Sequence, residues 1–158
     1  EDIFAALISG ILMEISGVFD EIEEEKIPIL EKLRRIVLRL LDIYIDNAQL
    51  LNIFMSEYET NEIKKKRYIS SYGLKNIRDY KVIESRLVDM IRQAQIEGMV
   101  VDIHPYVLAG VLNELVLRSV IVLHSQKGTL RKKDLIHDIF ELLSKNVVSA
   151  PPETGTAR

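Results

Sequence analysis

From Tyr106 to His124 the chain reads YVLAGVLNELVLRSVIVLH, an apolar stretch of helical length that only Asn113, Glu114, Arg118 and Ser119 interrupt. A helix that is apolar on every side must be covered on every side. The chain has 158 residues, enough for one domain with a sizeable core. In a domain of that size the helix is expected to pack on its own core with one face and on a second subunit with the other. No other feature of the chain constrains the architecture as much.

The remaining sequence is also helical in pattern. Only 7 Gly and 4 Pro interrupt a chain rich in Leu, Ile, Glu and Lys, which favours long helices over many short strands. A first stripe of Ile3, Phe4, Leu7, Ile8, Ile11, Leu12, Ile15 and Phe19 steps by three and four, then fades into the acidic run Glu21 to Glu25. Pro28 suits the first turn of a second helix, where its missing N–H has no partner to lose. That helix carries Leu30, Leu33, Val37, Leu40, Leu41, Tyr44 and Ile45. Asn47 marks a break before a short apolar helix, Leu50 to Met55. A long helix is expected over about 61–97, with Gly73 as a point of weakness and Gly98 as the left-handed residue that ends it. Asp102 or His104 then caps the apolar helix, with Pro105 near its first position. Gly128 ends that helix, and Thr129 caps a last, amphipathic one carrying Leu135, Ile136, Ile139, Phe140, Leu142, Leu143 and Val147. The closing APPETGTAR, 150–158, has the composition of a disordered tail. No internal repeat is visible. The pattern predicts an all-α domain over 1–149 with about six helices. The last two are expected to pair with their copies as an intermolecular four-helix bundle.

Composition narrows the function. A net charge of −3 offers no nucleic-acid surface over the segment as a whole. Cysteine is absent, so disulfides, a thiol nucleophile and a thiolate metal site are excluded, in keeping with a reducing, cytoplasmic setting. No signal-peptide pattern is seen in these residues, nor any uninterrupted apolar run of the roughly 20 residues that span a bilayer.

No catalytic constellation stands out. His104, His124 and His137 are scattered without partners at metal-ligand spacing, and a surface or capping role is the plain reading of each. The acidic run suits a solvated helix end better than a cation site. The basic cluster KKKR, Lys64 to Arg67, lies in a helical pattern with Glu57, Glu59 and Glu62 just upstream, which reads as a solvated face. The aromatic residues say more. Phe54, Tyr58, Tyr68 and Tyr72 cluster around the short helix and the start of the long one, with Met55 and Met90 as adaptable apolar neighbours. Such a set can line a cavity for a lipophilic molecule, or it can be ordinary core with hydroxyls reaching solvent.

The stretch IRQAQIEGMVVDIHPYVLAGVLNELV resembles the regulatory domain of the TetR/AcrR family of bacterial transcriptional regulators. Ala94 and Gly98 match the Ala-x-x-x-Gly ending of that family's long helix, followed by a hydrophobic link, Asp102, Pro105 and the inward alanine Ala109. The opening EDIFAAL resembles the start of the helix that connects the family's DNA-binding head to its regulatory domain. The order of elements follows the family over nearly the whole chain. The family's helix-turn-helix does not appear in these residues, so DNA binding falls on no residue of this chain.

The resemblance implies a homodimeric, ligand-responsive regulator, a repressor in function. Residues 1–22 would be the connecting helix to a preceding head, and operator DNA would be met only through that head. A small lipophilic effector would sit between the first four helices, felt by Ile15 and Phe19. Expected pocket residues are Phe54, Met55, Tyr58, Tyr68, Tyr72, Met90 and Asn113, the last reaching in from the penultimate helix. Expected dimer-face residues are Val111, Leu115, Val122, Leu135, Ile139 and Leu142. No cofactor, metal, membrane partner or enzymatic activity is expected. The alternatives are a helical homodimeric interaction module without a small ligand, and a helical enzyme or carrier for an apolar substrate.

Overall fold

The computed structural model describes residues 2–53, 71–126 and 130–149, without the side chains of residues 2, 4 and 71–75. The first apolar stripe forms α1 (Asp2–Glu24) and buries Ile11, Leu12, Ile15, Val18, Phe19 and Ile22. Toward its N-terminus the stripe lies open, with Ile3 and Leu7 exposed. Pro28 stands immediately before α2 (Ile29–Asp46) as its cap residue, and its carbonyl accepts the first helical hydrogen bond from Lys32 N–H at 3.1 Å. The seven buried residues of α2 include Ile36 and Leu41, both without measurable exposure. Asn47 breaks the chain direction as expected. Its N–H closes α2 on Ile43, while its own carbonyl starts α3, described over 48–53.

The long helix α4 is described over Ser71–Ile96 and passes Gly73 without a break. Its expected beginning near residue 61 lies outside the described residues. Gly98 ends it with φ +69°, the left-handed conformation that a Cβ would strain. Met99 N–H bonds back to Ala94 O at 2.8 Å and Gly98 N–H to Gln95 O at 2.9 Å, which satisfies two of the helix's last carbonyls. His104, not Asp102, is the residue before α5 (Pro105–Ser125), and it caps without a side-chain hydrogen bond. Pro105 takes the first helical position. The last helix, α6 (Lys132–Asn146), follows Arg131 as its cap residue, whereas Thr129 lies outside the described residues. Arg131 pairs with Asp134 through two hydrogen bonds of 2.7 and 3.0 Å, putting a carboxylate in the first turn, where the helix dipole favours it.

All six helices surround one core, and among the described residues the only β-type pairing is an isolated bridge between Val100 and Val148. α1 packs chiefly on α4 and α2, and α5 lies across α4 and α2. α6 is held at both ends. Lys132 Nζ meets Asp42 at 2.7 Å, and beyond Asn146 Val101 N–H donates to Val147 O at 2.9 Å.

α5 buries Leu108, Ala109, Leu112, Val116 and Val120, while Tyr106, Val107, Val111 and Val122 remain exposed on the single chain. The expectation of cover on all sides is therefore met by the protomer on one side. By length and composition α5 is also apolar enough to cross a membrane, although Glu114 and Arg118 interrupt its apolar run. Of the six expected dimer-face residues, Leu135 and Ile139 are buried in the protomer's own core. Val111, Val122 and Leu142 are exposed and Leu115 is partly so. The helical period of α6 locates its apolar stripe but not the neighbour that the stripe meets.

Candidate functional site

Two hollows among the described residues bear on a ligand site. The smaller, about 30 Å³, lies where α1, α2, α4 and α5 converge. From α1 it takes Leu12, Ile15 and Phe19, from α2 Leu40 and Tyr44, from α4 Tyr80, Ile83, Glu84 and Leu87, and from α5 Ala109 and Asn113. Its volume is that of one or two water molecules. The larger, about 330 Å³, lies between α2, α5 and α6 and is lined mainly by Leu and Val, with Arg34, His137, Glu141 and Ser144 as its polar members. It has the size of a small-molecule pocket. Val37 lines it. Val37→Leu adds volume there and removes a β-branched residue from mid-helix. It is expected to raise stability by about 0.5–1 kcal/mol in denaturant unfolding.

The smaller hollow holds the chemistry. Tyr44 Oη donates to Asn113 Oδ1 at 3.0 Å, and Asn113 Nδ2 donates to Tyr80 Oη at 3.5 Å. These bonds join α2, α5 and α4 across the chamber, at positions that local sequence does not relate. Tyr44 is buried, whereas Tyr80, at 39% exposure, forms the outer edge. Burial raises both phenols above their ordinary pKa. Tyr80 and Glu114 push Tyr44 in the same direction, and Glu84 and Glu114 act likewise on Tyr80.

A group whose pKa is higher folded than unfolded stabilises the fold up to its unfolded pKa and loses that contribution above it. Melting temperature is therefore expected to fall as pH rises above about 10, the ordinary tyrosine value. Tyr44→Phe should flatten that fall in thermal scans across the same range.

Beside the chamber, Arg86 ties α4 to α1. Its guanidinium meets Glu23 through two hydrogen bonds of 2.9 and 2.8 Å, reaches Asp20 at 2.8 Å and Ser16 O at 3.3 Å, and lies 5.2 Å from the centre of the Phe19 ring. The carboxylates raise its pKa further, Glu23 most. Phe19 thus touches the chamber on one side and the inter-helix clamp on the other. The acidic run is spent on such pairs: Glu21 meets Arg39 at 3.8 Å, and Glu25 pairs with Arg35. Among the described residues, no group of three or more His, Asp or Glu side chains could hold a metal ion.

The expected pocket residues divide. Asn113 is at the centre of the chamber. Met90 is buried but lines neither hollow, since it lies along α4 beyond Ile83 and Leu87, past the end of the chamber. Phe54, Met55, Tyr58 and Tyr68 lie outside the described residues, as does the side chain of Tyr72, and so does the basic cluster Lys64 to Arg67. Tyr44, Tyr80 and Glu84 were absent from the expectation. Their signal was a hydroxyl inside each of two aliphatic stripes, with an acidic residue one turn after the second.

No protein-family model matches the sequence, and no curated protein matches it significantly. The fold has a counterpart among solved structures. A protein of Saccharomonospora viridis, described as a transcriptional regulator and crystallised in complex with choline, superposes with a TM-score of 0.64 at 17% identity. The match covers 94% of this chain and 75% of that one. The likeness is one of fold: the helical arrangement described above is also that of a ligand-bound protein described as a regulator.

Proposed function

We propose that this chain is the effector-binding and dimerising part of a TetR/AcrR-type transcriptional regulator, acting as a repressor. Its DNA-binding head would be joined to the N-terminal end of α1. One observation carries the reading: the hydrogen-bonded chamber is walled directly by Leu12, Ile15 and Phe19 of α1. The larger hollow takes no residue from α1. The room in the smaller one is about that of water, so a ligand there needs its walls to part, and α1 is one of the four helices that form them. A state with α1 displaced would bind the effector better, and only that difference in affinity shifts the head. The fold shared with a choline-bound protein described as a regulator supports a small-molecule effector. The exposed Val111 and Val122 of α5 and Leu142 of α6 supply an apolar face for the second copy.

The same closure of the chamber favours the second reading, an interaction module without a ligand. The two are separated by thermal denaturation of the chain against a library of lipophilic compounds, with sedimentation for the oligomeric state. The proposal expects a dimer that some compounds stabilise, with the shift at least halved in Asn113→Ala. A dimer that no compound stabilises would support the interaction module.

A further inference from the structure

We infer that Glu114 and Arg118 are the recognition element of the surface between two copies of this chain. Each Glu114 pairs across a two-fold axis with the partner's Arg118, which sets the two α5 helices antiparallel and lets the face select its own kind. This rests on the dimerising reading and names what chooses the partner there.

Along the outward side of α5 the exposed residues Val107, Val111, Glu114, Arg118 and Val122 follow at intervals of four, three, four and four, so they form one stripe. The opposite side carries the buried Leu112, Val116 and Val120. Glu114 and Arg118 stand at the middle of this stripe, 3.6 Å apart, with side chains 58% and 52% exposed and valines on either side. On the free protomer such a pair contributes little, because water screens it and two long side chains must be held in place.

A cover laid over the stripe has to answer both charges. An apolar cover would strip their water and return no counter-charge. A cover of one sign would satisfy one charge and repel the other. The complement of one acid followed by one base is a base followed by an acid at the same spacing, and a second copy turned end for end supplies it. Parallel copies do not, since a residue then meets its own image, acid on acid and base on base. Antiparallel copies, with the axis at the level of Val116, set each Glu114 against the partner's Arg118 and Val111 against the partner's Val122. Each charge keeps its neighbour one turn away and gains another across the axis. A chain with its charges placed otherwise brings like or unanswered charges to the same spot, so the four charges discriminate as well as bind.

The test exchanges the charges. Glu114→Arg makes the pair wholly basic, and Arg118→Glu makes it wholly acidic. Each alone is expected to weaken the dimer at least tenfold in sedimentation equilibrium. Helix content by circular dichroism should hold, since both positions are exposed on the protomer. Mixing the two variants should give a dimer of one chain of each, at least tenfold tighter than either variant's own. The double variant Glu114→Arg/Arg118→Glu should pair with itself and not with the parent chain, which native mass spectrometry of the mixture reads directly. Should a reversal lose helix, Glu114→Gln and Arg118→Gln carry the test, each weakening the dimer at least threefold. Variants that dimerise as tightly as the parent would overturn the inference and leave the dimer standing. So would weakened single variants that neither mixing nor the double exchange restores. A parent chain that sediments only as a monomer would remove the dimerising reading along with the inference.

Discussion

Ile139→Asp is expected to unfold the protomer rather than merely part a dimer. Ile139 is 3% exposed and packs within a single chain's core, beneath the middle of α6. An ionised carboxylate there has no partner and no water, which costs several kcal/mol even after relaxation and a pKa shift. Domains of this kind are stable by only about 5–15 kcal/mol, so the variant should lose most of its margin. The distinction from an interface residue is measurable. Circular dichroism and sedimentation together should show loss of helix and aggregation, not a folded monomer. A folded, helical monomer would mean that Ile139 belongs to the surface between subunits after all. By contrast Val122→Glu, at a position 47% exposed on α5, should keep the fold and shift the proposed dimer toward monomer.

Phe19→Ala is the second large effect. Phe19 is fully buried on α1, walls the chamber and carries the Arg86 guanidinium on its ring. Truncation removes the buried ring and leaves a hollow that the surrounding helices fill only in part, for a cost of about 3–5 kcal/mol. In a domain of this length that corresponds to a fall in melting temperature of roughly 10–15 °C. It also joins new space to the chamber, so large lipophilic compounds should restore more stability to the variant than to the parent. Thermal denaturation with and without such compounds reads both quantities. A variant as stable as the parent would contradict the placement of Phe19 at the core of the α1–α4 contact.

The helices were legible where local chemistry writes them down. Ala94, Gly98 and Pro105 mark the end of one helix and the start of the next within a few residues, because caps and left-handed turns are short-range events. Asn47 is legible for the same reason. The start of α6 was not, since no side chain caps it: Arg131 stands before the helix and its guanidinium pairs with Asp134 instead.

The chamber was half legible. Asn113 announces itself as an amide in an apolar helix, and an amide partly withdrawn from water needs partners. Its partners, Tyr44 and Tyr80, lie 69 and 33 positions away and carry no local mark beyond their place on an apolar stripe. Periodicity tells which face of a helix is buried. Which faces meet is decided by the packing of all six helices at once, and that is also why Leu135 and Ile139 turn inward to the core.

The most direct test is amide hydrogen exchange along α1, before and after addition of whichever compound most raises the melting temperature. The account predicts that exchange changes over residues 12–24 and around Arg86 on α4, because the proposed effector parts the wall that Leu12, Ile15 and Phe19 form. A change confined to α2 and α6 around the larger hollow, with α1 untouched, would contradict it.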